Sequence, residues 1–341
     1  MNILITGITG RIGSELARQL VDAGHSVRGL VWPRDRRVAA LQQLGVALME
    51  GSLTEAADVK AATADVDVIF HLGAAFQGGG PFTNEEYFEI NVRGTFNMLE
   101  AAQELGARLQ QFAYASSDAL YEKYVPGGIP DPICEDAFAL LPRGQYALTK
   151  LLGEELCLGY ARTWDLPVTV YRFAMTLAGE EILDYGQFYL AHWLRVFAGL
   201  DNDEARAVYA QLQAAAAVYG EKCLVVARDG DGRPYKKHIA HAQDIVVGMM
   251  AGLAHAQARG EVFQLAAPTP FTWEEAVPKL AGGLGLPMIE ARLAGYAPTF
   301  YEFDLSKSRA RIGFAPRYDI ERMINEALAL RQARVQQSGA V

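Results

Sequence analysis

The stretch TGITGRIG, residues 6–13, decides the fold, because it joins a short apolar run to a helical pattern. The run NILIT before it is typical of a buried parallel strand, and RIGSELARQLVD after it has helical periodicity. Gly7 permits a tight turn, Gly10 lets the backbone approach a pyrophosphate, and Gly13 lets the helix pack against the sheet. Because the first N–H groups of a helix can bind phosphate, this loop predicts a dinucleotide site.

Further apolar runs follow the loop, each separated from the next by a helical pattern; they cover residues 25–32, 46–53, 66–75, 109–117 and 166–174. Strands that alternate with helices predict an α/β fold built on a doubly wound parallel sheet. After residue 175 helical segments dominate, with strands predicted at 222–228 and 261–266. This part of the chain is therefore expected to form a lobe that packs on the sheet.

The bulk composition excludes several classes of function. The chain has 341 residues, a net charge of −9 and a pI of about 5.3, without a Lys/Arg run, which argues against binding to nucleic acid or to an anionic membrane. Cys134, Cys157 and Cys223 lack metal-ligand spacing and are interpreted as reduced thiols. The first strand begins near residue 2, which leaves no room for a leader, and no apolar run has membrane-spanning length. We therefore expect a soluble, cytoplasmic protein without a metal site.

A second motif lies in RGQYALTKLLGEEL, residues 143–156. Its apolar positions have helical spacing, so Tyr146 and Lys150 are expected on one face of a helix. Alone, such a pair is equally typical of the wetted edge of an ordinary helix.

The end of the second strand bears on the choice of cofactor. NAD-binding sites usually have a carboxylate there for the ribose 2′-OH, whereas this chain has Val31 and then Trp32. The arginines that follow, Arg34, Arg36 and Arg37, are suited to a 2′-phosphate, which favours NADP and leaves NAD open. The alternative is a solvated basic turn.

Taken together, several motifs in one order resemble the extended short-chain dehydrogenase/reductases, in particular the NAD-dependent epimerase/dehydratase group. Besides the glycine loop they are HLGA (71–74), NVRGTFNMLEAA (91–102), YASSDALY (114–121), YALTK (146–150), KHIAHAQDI (237–245) and DLSKSRARIGFAP (304–316). The resemblance implies a doubly wound parallel Rossmann sheet with a smaller C-terminal α/β substrate lobe. The Rossmann domain is expected to span 1–174 with parts of 220–265, and the lobe 175–219 and 266–335.

The resemblance also assigns chemistry to the residue pair above. Tyr146 is expected to transfer a proton, and Lys150 to lower the pKa of Tyr146 by its charge and to bind the nicotinamide ribose. Ser117 is expected to bind the substrate oxygen, although a turn serine is the alternative. Asp118 matches an acid of the dehydratases, but Ala119 stands where they have a glutamate. Elimination of water is therefore not expected, and Asp118 alone also fits a turn.

The remaining predicted contacts fall into two sets. The cofactor set comprises Gly7, Thr9, Gly10, Arg11, Ile12, Gly13, Arg34, Ser52, Leu53, Leu72, Gly73, Ala74, Asn91, Tyr146, Lys150 and Phe173. Asn91 is expected to bond backbone near the cofactor or to cap a helix. The substrate set is Met175, where sugar-nucleotide epimerases have asparagine, Lys237, where they have a phosphate-binding arginine, and the nearby Arg233.

Three functional hypotheses remain. The first is an epimerase or related enzyme acting on a sugar or sugar-nucleotide-like substrate with NAD. The second is an NADPH-dependent ketone or aldehyde reductase, and the third is a non-catalytic dinucleotide-sensing protein. The long helices after Asn84 and Gly144 imply a homodimer by resemblance. The apolar segment 188–219 is interpreted as extra core, with a lid or a partner surface as alternatives.

Overall fold

The computed structural model describes residues 1–33, 35–76, 80 and 82–338. In chain order the strands are β1 (Asn2–Thr6), β2 (Ser26–Val31), β3 (Ala47–Glu50), β4 (Val68–His71), β5 (Gln111–Ser117), β6 (Val168–Phe173), β7 (Thr176–Leu177), β8 (Leu224–Arg228), β9 (Lys236–Lys237), β10 (Ala240–His241), β11 (Glu261–Leu265), β12 (Phe271–Thr272) and β13 (Met288–Arg292). The α-helices are α1 (Arg11–Asp22), α2 (Ala39–Gln43), α3 (Ala56–Thr63), α4 (Asn84–Phe88), α5 (Gly94–Glu104), α6 (Gln145–Trp164), α7 (Leu190–Ala198), α8 (Asp203–Tyr219), α9 (Ala242–Ala251), α10 (Trp273–Leu284), α11 (Ser306–Ile312) and α12 (Ile320–Ser338).

The central sheet is parallel and has the strand order β11-β6-β5-β4-β1-β2-β3. The chain starts in the middle of the sheet, at β1, and winds outwards in both directions. The predicted doubly wound Rossmann sheet is therefore confirmed.

Alternate residues of β1 pack on opposite faces of the sheet. Ile3 and Ile5 belong to an apolar cluster with residues of α1 and α9, whereas Leu4 belongs to a cluster with residues of α3, α5 and α6. Helices cover both faces, and for this reason the strand is apolar throughout rather than alternating.

A third apolar cluster lies beside the sheet and contains residues of α7, α8, α10, α12 and β8. Within it β8 pairs in parallel with β13. Of the range 220–265, β11 joins the central sheet and α9 packs on it, whereas β8 belongs to the third cluster. In the segment 188–219, Trp193, Phe197 and Leu212 are buried in this cluster, in line with the expected extra core.

The long helix predicted after Asn84 contains an irregularity. A π-helical turn, Glu89–Arg93, separates α4 from α5 and contains Asn91. Such turns are often found at functional sites. Among the described residues, no helix combines the length and the apolar character that a membrane span needs.

Candidate active site

A cleft of about 2040 Å³ opens at the carboxyl ends of the central strands. The glycine loop, the ends of β4 and β5, the start of α6 and the segment 173–186 line it. This is where ligand sites of open α/β sheets form. A single drug-sized ligand occupies about 300–1,000 Å³, so the cleft has room for a dinucleotide and a second molecule.

The geometry of the loop requires glycine at two positions. Gly7 has a φ of +68°, and a Cβ there would lie 2.7 Å from the backbone nitrogen of Gly73. A Cβ at Gly13 would lie 2.4 Å from the carbonyl oxygen of Gly7. Gly10 is the N-cap residue of α1, and because glycine has no side chain it does not cap the N–H groups of the first turn. The loop therefore fits the pyrophosphate of a dinucleotide.

The structure places most of the predicted cofactor set in this cleft. The lining residues include Gly7, Thr9, Gly10, Arg11, Ile12, Gly13, Leu72, Gly73, Ala74, Tyr146, Lys150 and Phe173. The guanidinium of Arg11 is held by Glu181 (2.7 Å) and by the carbonyl of Thr176 (2.8 Å).

Three described members of the set, Ser52, Leu53 and Asn91, are not among the lining residues. The hydroxyl of Ser52 instead bonds that of Thr54 (2.8 Å), and Leu53 packs against Gly73 and Gly94 from behind. Arg34 lies outside the described residues.

Asn91 acts as a brace next to the cleft rather than as a lining residue. Its amide accepts from the backbone N–H of Ala75 (2.7 Å) and donates to the carbonyl of Ala75 (3.1 Å). It also donates to the hydroxyl of Thr149 on α6 (3.0 Å). The predicted bonding to backbone is therefore observed, whereas the alternative of a helix cap is wrong, because Asn91 lies within the π-helical turn.

Ser117, Tyr146 and Lys150 all line the cleft, Ser117 at the end of β5 and the other two on α6. The hydroxyl of Ser117 lies close enough to that of Tyr146 to favour the phenolate by hydrogen bonding. The hydroxyl of Ser117 also accepts from the N–H of Ala119 (3.1 Å), which fixes its orientation. The ammonium of Lys150 lies 4.1 Å from the ring centroid of Tyr114.

Burial is the largest influence on the pKa values of Tyr146 and Lys150. It raises the pKa of Tyr146 to about 12, although the hydrogen bond from Ser117 opposes the rise. Burial also lowers the pKa of Lys150 to about 8. The shift is thus opposite to the expected lowering by Lys150, which is not among the groups that act on the pKa of Tyr146; desolvation of the phenolate is the largest cause.

The shift at Lys150 predicts a pH dependence of stability. Unfolding restores the ordinary pKa of 10.5, so between about pH 8 and pH 10 the unfolded chain binds a proton that the folded chain has lost. Stability should therefore rise with pH in this window, by about 2 kcal/mol. Urea unfolding of the wild type and of Lys150→Met at both pH values checks this. Only the wild type should gain the increment, and parallel curves would contradict the assignment.

Asp118 is not a free acid. Its carboxylate pairs with the ammonium of Lys123 at 2.8 Å, and the two side chains are only 9% and 5% exposed. Lys123 also donates to the carbonyl oxygen of Asp118. Sequence reasoning missed Lys123, because a lysine five residues after an aspartate carries no local signal for a buried pair.

The predicted substrate residues separate in space. Met175 lines the cleft. Lys237 is 2% exposed and lies directly behind the lining residue Tyr185, to whose hydroxyl it donates (2.5 Å). Arg233 is not among the lining residues, which corrects its assignment to the site. Asp229 (2.9 Å), the carbonyl of Gly127 (2.7 Å) and the ring of Phe300 (3.8 Å) hold its guanidinium elsewhere.

An acid that sequence reasoning missed lies next to the glycine loop. The carboxylate of Asp35 accepts from the hydroxyl of Thr9 (2.7 Å) and from Arg37 (2.6 Å). Arg37 holds the pKa of Asp35 well below its ordinary value. The expectation of NADP rested on Val31 and Trp32 at the end of β2 and did not consider Asp35, four residues after Val31. The signal was present as the aspartate among the arginines of residues 34–37.

Comparisons with known proteins agree with this architecture. The model of the NAD dependent epimerase/dehydratase family matches residues 3–266. The solved structure of a short-chain dehydrogenase/reductase superfamily protein from Agrobacterium tumefaciens with bound NAD is 30% identical, with a TM-score of 0.83 over 100% of both chains. UDP-glucuronic acid 4-epimerase from Bacillus cereus, in complex with NAD, has the same fold, with a TM-score of 0.71 and 20% identity over 98% of this chain and 99% of that one.

Curated relatives match over a shorter region. UDP-glucose epimerase YtcB from Bacillus subtilis is 32% identical over 186 residues, which is 51% of this chain and 56% of the relative. A probable UDP-glucuronate 4-epimerase from Rhizobium meliloti is 33% identical over 187 residues, 51% of this chain and 52% of the relative. The alignments thus span about half the length of these relatives. Because the family model matches most of the chain, the protein belongs to the NAD dependent epimerase/dehydratase family of enzymes.

Proposed function

We propose that the protein is an NAD-dependent enzyme that moves a hydride at a carbinol or carbonyl carbon, with Tyr146 as the acid and base. The observation that carries this proposal is that Ser117, Tyr146 and Lys150 line the same cleft as the glycine loop. A nicotinamide bound in the cleft would supply the acceptor or donor of the hydride.

Each side chain of the group has a separate task. Ser117 donates a hydrogen bond to the substrate oxygen and fixes its position. Tyr146 gives a proton to that oxygen when a carbonyl is reduced and takes the proton when a carbinol is oxidised. Its raised pKa keeps the phenol protonated at neutral pH, ready to donate. Lys150, with a pKa of about 8, remains largely cationic there and is placed in the cleft to bind the nicotinamide ribose.

Elimination of water is not part of the proposal. Ala119 offers no acid or base, and the carboxylate of Asp118 is engaged by Lys123. The redox step at one carbon needs neither group.

Identification of the nucleotide that the purified protein carries would test this proposal. NAD⁺ released in stoichiometric amount on denaturation supports a reaction that returns the hydride within each cycle, as in an epimerase. A protein that is purified empty and then oxidises NADPH with a carbonyl compound supports the alternative reductase. A protein that binds neither nucleotide contradicts the proposal.

We propose that NAD is preferred to NADP, and we expect about tenfold tighter binding of NAD. The carboxylate of Asp35 lies at the glycine loop and accepts a hydrogen bond from Arg37. Among the described arginines of the basic turn, Arg37 is the one that lines the cleft. A carboxylate there repels a 2′-phosphate and can bond a ribose hydroxyl. Fluorescence titration of both nucleotides checks this, with Asp35→Asn expected to reduce the preference. Tighter binding of NADP to the wild type would contradict it.

We propose that the chain forms a homodimer through α4, α5 and α6. Apolar side chains on these helices are exposed: Phe88 (43%), Phe96 (40%), Leu148 (43%) and Leu152 (38%). Sedimentation of the wild type beside Leu152→Glu tests this, because a monomeric wild type would contradict the proposal. We further propose that a Rossmann domain spans 1–174 with parts of 220–265, and that a C-terminal substrate lobe spans 175–219 and 266–335.

A further inference from the structure

Three buried side chains, Lys123, Tyr185 and Tyr301, line one part of the cleft, which we call its closed end. Two distant segments of the chain meet there. Residues 123–133 run beside residues 299–304 and bond them through the backbone. The N–H of Ile129 donates to the carbonyl of Phe300 (2.7 Å), and that of Ile133 donates to the carbonyl of Glu302 (2.9 Å). The N–H of Asp304 donates back to the carbonyl of Ile133 (2.8 Å). These contacts hold together the two segments that carry the lining residues Lys123 and Tyr301.

The three buried side chains of the closed end carry polar groups. Tyr301 is 0% exposed, and its hydroxyl has no hydrogen-bond partner in the described part of the chain. The ammonium of Lys123 has three N–H donors. Asp118 accepts from it through its carboxylate and through its carbonyl oxygen. The closed end therefore presents polar groups that a bound molecule can satisfy.

The charges at this end do not cancel. Lys123 is balanced by Asp118. Lys237, behind Tyr185, bonds only neutral oxygens, those of Tyr185 (2.5 Å) and Gln187 (3.3 Å), and no carboxylate of the described residues lies within ion-pair distance. A buried charge without a counterion is unfavourable, so a ligand that carries an anion is stabilised here.

The remaining cations of the cleft are already engaged. The arginines that line it are each paired with a carboxylate: Arg11 with Glu181, Arg37 with Asp35, Arg143 with Glu122 and Arg334 with Glu180. Arg233 is held outside by Asp229. Apart from Lys150, the described residues thus place one unbalanced positive charge at the cleft, that of Lys237 behind Tyr185, which matches one anionic group better than the two phosphates of a nucleotide sugar.

We infer that the substrate is a compact polyhydroxylated anion, a sugar acid or a sugar phosphate without a nucleotide. Its anionic group lies at Lys123 and Tyr185, within the field of Lys237, and its reacting hydroxyl lies at Tyr146. This inference rests on the proposed function, because it identifies the substrate class of the same site.

Calorimetric titration of the NAD-saturated protein tests the inference. The ligands are hexuronates, aldonates and hexose phosphates, each beside its uncharged amide or parent sugar, together with UDP-glucose and UDP-glucuronate. We expect at least one anion to bind about tenfold tighter than its uncharged counterpart and tighter than both nucleotide sugars. The anion that does so distinguishes a carboxylate from a phosphate. Tighter binding of a nucleotide sugar, or no binding by any of the compact anions, overturns the inference.

A pair of neighbouring lysines supplies the matched variants. Lys237→Met should weaken binding of the preferred anion about tenfold and leave NAD binding unchanged. Lys236→Met should bind it as the wild type does, because Lys236 pairs with Glu302 (3.2 Å) outside the cleft. Equal affinity of Lys237→Met and the wild type overturns the inference. The comparison of acid and amide needs no variant, so it decides even if Lys237→Met fails to fold.

The outcomes also separate this inference from the proposed function. If the protein transferred hydride from a nucleotide sugar, and if this transfer depended on Tyr146, the proposed function would stand. The inference of a compact anionic substrate would be overturned. Tight binding of a sugar acid without any hydride transfer to NAD would overturn the function, and the site would then be one for binding only.

Discussion

Tyr146→Phe should lower turnover by about 10²–10⁴-fold, the range for loss of a general acid or base, while NAD binding stays unchanged. Phenylalanine keeps the ring and its edge-on contact with Phe76, at 5.9 Å between centroids, but it removes the hydroxyl and with it the proton. The loss should therefore appear in kcat rather than in the affinity for nucleotide. Steady-state rates beside a fluorescence titration of NAD measure the two effects separately.

Tyr87→Phe is the matched control for this variant. Tyr87 lies 6.4 Å from Tyr146 between ring centroids, and its hydroxyl is not part of the proposed proton transfer. Its rate should remain within about twofold of the wild type, because a residue without contact to reacting atoms supplies little of the general acid–base effect. Turnover that survives in Tyr146→Phe, or that falls equally in both variants, would show that Tyr146 is not the proton-transfer group.

Glu154→Gln should destabilise the folded protein by about 3–5 kcal/mol, as expected when one partner of a buried ion pair is removed. Glu154 is 0% exposed and accepts from Arg172 (2.5 Å) and from the hydroxyl of Ser116 (2.5 Å). Burial alone would lower the pKa of Arg172, yet the contact with Glu154 raises it above its ordinary value. Without the carboxylate, the guanidinium would remain charged in an apolar interior. Urea unfolding measures the loss.

The double variant Glu154→Leu with Arg172→Met tests whether the loss comes from the unpaired charge. Apolar side chains in place of both charges should recover part of the stability, because neither desolvated group remains. If Glu154→Gln stays within about 1 kcal/mol of the wild type, the pair does not have the energy expected of a buried one.

Local sequence motifs were sufficient to predict those parts of the site that lie on one helix or one strand–loop–helix unit. The turn lies within one strand–loop–helix unit, and the close approach of Gly13 to the carbonyl of Gly7 is local to it, so the sequence predicts the turn. Tyr146 and Lys150 share α6, and their spacing alone places them together. The predicted parallel sheet follows for the same reason, since alternating strands and helices leave few topologies.

Groups that depend on distant segments escaped prediction. Lys237 meets Tyr185 across 52 positions of sequence, and Arg233 reaches Gly127 across 106. The same family motif made both look like substrate residues, but Asp229 and Phe300 hold Arg233 away from the cleft. The pKa of Tyr146 depends on how completely the fold encloses it, which spacing along a helix does not reveal.

The π-helical turn that contains Asn91 makes the number of residues in this helix as important as their identity. A π-helical turn holds one residue more than an α-helical turn between the same flanking helices, so deleting one residue would remove the turn and shift the register of the residues within it. The amide of Asn91 would then face away from Ala75 and Thr149, which it now joins. Point substitutions around Glu89–Arg93 leave that register intact, whereas insertions and deletions do not. During divergence of the sequence, this segment should therefore tolerate exchange of side chains while its length stays fixed.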